Sequence, residues 1–148
     1  MNRGIKNIID QLTVKPETLF LIDSLGAFVT TFFLFVILRN YNQYIGMPAT
    51  ILVYLSLIAA CFCIYSTACF LFLKQHWTPF IRGISIANLV YCILTITLLV
   101  INYPLLTMIG ITYFLLEIAL LSGLIYIELN VATAIQKGQK KKFLTIKD

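Results

Sequence analysis

The chain has 148 residues, 60% of them hydrophobic and only 11% charged, with a formal net charge of +5 and a mean hydropathy of +0.93. Soluble domains carry about 25% charged residues, so this balance excludes an ordinary soluble fold. Four apolar runs, 19–38, 49–73, 80–101 and 105–127, leave no room for a separate soluble domain. Each reaches the roughly 17–25 residues that a spanning helix needs. A helix also satisfies its own backbone hydrogen bonds where lipid cannot. The predicted fold is an all-α membrane protein: a four-transmembrane-helix bundle over residues 16–128, a short segment 1–15 before it and a basic tail 129–148 after it.

In the first segment Ile5, Ile8, Ile9 and Leu12 recur at helical spacing among Arg3, Lys6, Asp10 and Lys15. Beside a membrane span, that pattern predicts an N-terminal amphipathic helix lying in the interface. The first apolar run is longer than the core of a cleaved signal peptide and is expected to stay as the first helix.

The four prolines, Pro16, Pro48, Pro79 and Pro104, each precede or open an apolar run. Proline suits the first turn of a helix, where its missing N–H has no partner to lose. Thr78 is placed to cap the third helix. Asn40 and Asn102 are placed to close the first and third in a left-handed conformation. The connections are expected at 40–48, 74–79 and 102–104.

Basic residues set the orientation. With the N-terminus in the cytoplasm, that side receives Arg3, Lys6, Lys15, Lys74, Arg82, Lys137, Lys140, Lys141, Lys142 and Lys147, and the other side only Arg39. The positive-inside rule then predicts that both termini are cytoplasmic. Lys140, Lys141 and Lys142 form a juxtamembrane cluster, expected to contact anionic lipid headgroups at about 1 kcal/mol per basic residue. The charge thus points to membrane lipid as the partner, with no nucleic acid expected. Trp77, in the loop at 74–79, is expected at headgroup level as an interfacial anchor.

Each run carries a stripe of small or polar residues, which is how membrane helices approach closely. The stripes are Asp23, Gly26, Ala27 and Thr30; Ser56, Ala59, Cys63 and Ser66; Ser85, Asn88, Cys92 and Thr95 beside Tyr91; and Gly110, Tyr113, Glu117 and Glu128. Phe20, Phe28, Phe32, Phe33 and Phe35 lie mostly off the first stripe and are expected to meet lipid. Rise along the helices puts Asn88 about 12 Å and Tyr91 about 16 Å in from the cytoplasmic end of the third helix, and Glu117 about 18 Å in from the outer end of the fourth, so the three are expected to meet. A carboxyl near mid-bilayer costs roughly 2.5–3.5 kcal/mol on insertion scales, so Glu117 must face protein or water. Glu117, Asn88, Tyr91 and Tyr113 are the candidate ligand- or proton-binding residues. Asp23 and Arg82, at similar depth near the cytoplasmic boundary, are the candidate structural ion pair.

No catalytic residue, cofactor or metal site is expected. His76 is the one histidine, and Cys61, Cys63, Cys69 and Cys92 all lie within apolar runs, where small polarizable side chains serve packing. Phosphate-binding glycine loops and Ser-His-Asp sets are missing too.

The segments LeuIleAspSerLeuGlyAla (21–27), GlyMetPro (46–48), TrpThrProPhe (77–80), IleAlaAsnLeuValTyrCys (86–92) and TyrPheLeuLeuGlu (113–117) resemble a group of small four-helix bacterial integral membrane proteins. The resemblance spans most of the chain. It implies the architecture and a bacterial plasma-membrane setting, and it transfers no site residue. Small multidrug-resistance transporters share four short helices and a membrane glutamate, but theirs lies in the first helix, so that likeness is one of size. The expected function is a non-enzymatic membrane protein, either an accessory subunit or a binder of lipid or a small hydrophobic ligand within the bundle. The alternative is a small transporter using Glu117 as a proton- or cation-coupled site. A homodimer or larger membrane complex fits either.

Overall fold

The four apolar runs become four helices, and the prolines set where two of them start. The computed structural model describes residues 3–74 and 77–145, with side chains at 4, 5, 7–74 and 77–138. In chain order the elements are α1 (Arg3–Val14), α2 (Glu17–Phe32, widening into a π-helix over Phe33–Leu38), α3 (Asn42–Ile45), α4 (Ala49–Phe72), α5 (Trp77–Ile101) and α6 (Met108–Thr145). Glu17–Leu38, Ala49–Phe72, Trp77–Ile101 and Met108–Gly138 are long and apolar enough to cross a membrane.

Pro16 and Pro48 sit at the caps of α2 and α4, and Pro79 lies within the first turn of α5. Pro104 behaves differently. It falls in a turn, and α6 begins at Met108 rather than at 105. Thr107 holds that start: its hydroxyl accepts the Gly110 N–H at 3.3 Å, a threonine N-cap, and donates to the Tyr44 carbonyl at 2.5 Å. Thr78 does not cap α5, because the helix already includes Trp77. Its hydroxyl is buried without a hydrogen-bond partner among the described residues. Asn40 remains helical, and both Asn40 and Asn102 donate their side-chain amides to the carbonyl four residues back, at 2.7 and 2.8 Å.

The left-handed residue is instead Gly46, with φ of 80°, closing α3. A Cβ there would strike the Leu105 backbone, and one on Gly110 would strike the Ile45 carbonyl. These two glycines let the α3 corner seat directly on the start of α6.

The spans pack as two pairs, α2 along α4 and α5 along α6, which meet along a thinner seam. Each end of the bundle is closed by apolar side chains. Ile9, Leu12, Leu19, Phe20, Cys69, Ile81, Ile84, Val131 and Ala132 cluster at the end bearing α1. Leu34, Leu38, Ile45, Met47, Leu52, Leu55, Tyr91 and Phe114 cluster towards the other. Ile9 and Leu12 turn the apolar face of α1 onto the bundle, while Ile5 and Ile8 remain exposed.

Phe20 departs from the expected lipid-facing aromatics. It is fully buried, whereas Phe28, Phe32, Phe33 and Phe35 are exposed. Gly26 also departs from its expected role: it is exposed, and a Cβ there would meet nothing within 4 Å. The α2 stripe therefore opens a cleft beyond Asp23 instead of drawing a neighbour close.

The two glycine environments predict opposite outcomes. Gly46→Ala, combining a left-handed backbone with a backbone collision, should cost at least about 1–2 kcal/mol. Gly26→Ala, in open helical surroundings, should be neutral or stabilise by up to about 1 kcal/mol. Thermal unfolding of the detergent-solubilised protein reads both, and equal losses would contradict the α3–α6 contact.

Candidate functional site

Between the two apolar ends lies a layer of buried polar side chains drawn from all four spanning helices. On α5, Ile81, Ile84, Ser85, Asn88, Tyr91, Cys92 and Thr95 are buried at helical spacing. This stripe turns Asn88 towards α2, where its amide donates to Asp23 Oδ1 at 2.9 Å. Ser66 of α4 donates to Asp23 Oδ2. Ser85 reaches Glu128 Oε2 of α6 at 2.9 Å. Asp23, Ser66, Ser85, Asn88 and Glu128 are all at most 2% exposed. One level further, Tyr91 donates its phenol to Glu117 Oε1 at 2.9 Å.

The expected meeting of Tyr91 with Glu117 is thus present, but Asn88 belongs to Asp23 instead. Tyr113, one turn from Glu117, stacks on Phe33 with ring centroids 6.3 Å apart and meets Phe114 edge-on at 5.3 Å. Trp77 is half-buried, packed on Phe20 at 6.0 Å. Lys140, Lys141 and Lys142 lie on the last turns of α6, and their side chains are outside those described, as is all of His76.

The expected Asp23–Arg82 ion pair is replaced by other partners. Both Asp23 oxygens accept hydrogen bonds from Ser66 and Asn88, while Arg82 is exposed and donates to Gln136 Oε1 at 2.7 Å. The reason is angular. Arg82 follows Ile81 by one residue, about 100° around the helix, and so leaves the stripe that faces Asp23. Equal depth did not imply a shared face.

Sequence reading grouped Glu128 with Glu117 but gave it no role. Eleven residues separate them, close to three whole turns, so both fall on one face of α6. Ser66 and Ser85, each on an inward stripe, were the matching signal. Glu117 Oε2 and Glu128 Oε1 are buried without hydrogen-bond partners among the described residues.

Two spaces adjoin these groups. A cavity of about 30 Å³, lined by Asp23, Gly26, Thr30, Asn88 and Tyr91 among others, lies beside the polar layer. It has room for about two water molecules. A larger groove of about 370 Å³ lies between α5 and α6, lined by aliphatic residues and Tyr103. No group of three or more metal-binding side chains occurs among the described residues. No protein-family model matches the chain, and no curated protein or solved structure shows significant similarity to it.

The partner assignment can be tested by substitution. Asp23→Leu leaves the Asn88 amide and Ser66 hydroxyl unpaired and should cost about 1–3 kcal/mol. Arg82→Ala removes only an exposed contact and should cost no more than about 1 kcal/mol. Denaturation in mixed micelles reads the difference, and an Arg82→Ala loss as large as that of Asp23→Leu would restore the ion pair.

Proposed function

We propose that the chain is a non-enzymatic integral membrane protein of the bacterial plasma membrane that holds a lipid acyl chain or a similar small hydrophobic ligand between α5 and α6. The observation that carries this reading is the groove of about 370 Å³ lined by Ile96, Leu99, Tyr103, Leu106, Leu115 and Ile118, among others. Its volume is within the roughly 300–1,000 Å³ of ligand sites, and its walls are apolar. Tyr103, in the turn joining α5 to α6, is among the described residues the one lining residue with a polar group. The polar layer supports the reading from the other side: its side chains largely bond one another, and the cavity beside it holds only water-sized guests.

The ten-to-one distribution of basic residues favours cytoplasmic termini. The groove then lies in the outer leaflet, α1 sits at the inner interface, and the lysines at the end of α6 meet anionic headgroups. Native mass spectrometry of the detergent-extracted protein should find a bound phospholipid or other apolar adduct. Leu99→Trp with Ile118→Trp, which fills the groove, should displace it. A protein free of adducts, or an adduct indifferent to the double substitution, would overturn the reading.

The transporter alternative is favoured by one observation: Glu117 Oε2, beside the oxygen that accepts from Tyr91, has no partner among the described residues. Glu117→Gln distinguishes the two. Under the ligand-binding reading the adduct survives and stability changes by less than about 1 kcal/mol. A folded Glu117→Gln protein that loses ion or proton flux seen for the wild type in vesicles would favour transport.

A further inference from the structure

The hydrogen bonds of the polar layer, apart from the groove, constrain where its protons lie. Ser85 has one hydroxyl proton and two acceptors within reach, the Ile81 carbonyl at 2.8 Å and Glu128 Oε2 at 2.9 Å. A helical serine commonly gives that proton to the carbonyl four residues back. Ser85 Oγ is then an acceptor towards Glu128, so the facing Glu128 oxygen carries a hydrogen. Asp23 is the reverse case. Each of its oxygens accepts a hydrogen bond, from the Ser66 hydroxyl and the Asn88 amide, which suits an ionised carboxylate.

Among the described residues, the surroundings supply no positive charge. On α1 the residues facing the bundle are Ile9 and Leu12, and Asp10 is exposed. The α4 helix contributes Ser66 and the buried Cys69 thiol, and α5 contributes Ser85 and Asn88. Arg82 is turned outward to Gln136. Ser85, bonded to Glu128, and Asn88, bonded to Asp23, are neighbours one turn apart on α5, which brings the two carboxyls to adjoining places. Glu128 is fully buried, and its Oε1 has no hydrogen-bond partner among the described residues. Two ionised carboxylates here would face one another without a counter-charge, at high cost in a low-dielectric interior.

We propose that Asp23 and Glu128 form a one-proton site at the seam between the helix pairs, with the proton on Glu128 Oε2 and the negative charge on Asp23. Binding is a simple transfer: hydronium gives its proton to the Glu128 carboxylate and becomes water, and release reverses this. On the Asp23 side the site adjoins a cavity with room for about two waters, lined by Asp23 and Asn88 and not by Glu128. Asp23 belongs to the α2–α4 pair and Glu128 to the α5–α6 pair, so loss of the proton sets like charges across the seam. The bound proton keeps the two pairs together.

Infrared spectra of the full chain in detergent at neutral pH test the assignment, with the Glu117→Gln background removing the other buried glutamate. Adding Glu128→Gln should abolish a protonated-carboxyl carbonyl band that adding Asp23→Asn retains. A band lost only with Asp23→Asn, or one unaffected by either change, would overturn the proposal. If Glu128→Gln does not fold, the pH dependence of melting in Glu117→Gln alone decides. The folded state holds a proton that an unfolded glutamate releases above about pH 4.3, so the melting temperature should fall as pH rises from there. A flat profile would overturn the proposal. So would stabilisation by sodium over choline without a protonated band, which would place a cation between the carboxylates.

Discussion

The Asn88–Asp23 hydrogen bond is the one side-chain bond, among the described residues, that joins a span of the α2–α4 pair to a span of the α5–α6 pair. Lipid offers no partner to a polar group, so each such group inside the bundle must find one in protein or trapped water. That requirement explains why the polar residues of all four helices converge on one level. Asp23 is held by Ser66 within its own pair and by Asn88 across the seam. The thin seam makes this crossing bond more consequential, since less apolar packing supports it there than within either pair.

Layering follows from the same constraint. The clusters around Leu19, Phe20 and Val131 at one end, and around Leu34, Met47 and Phe114 towards the other, close the interior above and below the polar level. Tyr91 bridges the regimes: its ring packs edge-on against Phe62 at 6.1 Å, while its hydroxyl serves Glu117. Sideways the closure is weaker, because Gly26 and Thr30 leave a cleft where a larger α2 residue would meet no neighbour.

Much of this was legible from periodicity. The four spans, and the inward position of Asp23, Ser66, Asn88, Tyr91, Glu117 and Glu128, follow from a 3.6-residue repeat in apolar runs. Partner choice was not legible, since depth along a helix says nothing about azimuth. Arg82 had the right depth for Asp23 and the wrong face, while Asn88 had the right face. The delayed start of α6 was hidden for another reason. Pro104 resembles the other three prolines locally, and only the contact of Thr107 with the distant Tyr44 and Ile45 fixes the cap. The small stripe of α2 was misleading, because close approach needs a neighbour opposite as well as small residues.

The geometry also separates the groove from the polar layer. Both walls of the apolar groove, Ile96 and Leu99 on α5 with Leu115 and Ile118 on α6, belong to a single tightly packed helix pair. The Asn88–Asp23 bond lies between pairs, with Asp23 on one side and Glu128, bonded to Ser85, on the other. The groove is therefore built within one pair, whereas the polar crossing joins the two pairs. The α6 helix still connects the two. Its inward face carries Glu117 and Glu128 three turns apart, its groove face carries Leu115 and Ile118, and its far end packs against α1. A single helix therefore borders the polar layer, the groove and α1 at once, because its length spans the bundle and its faces are divided between them.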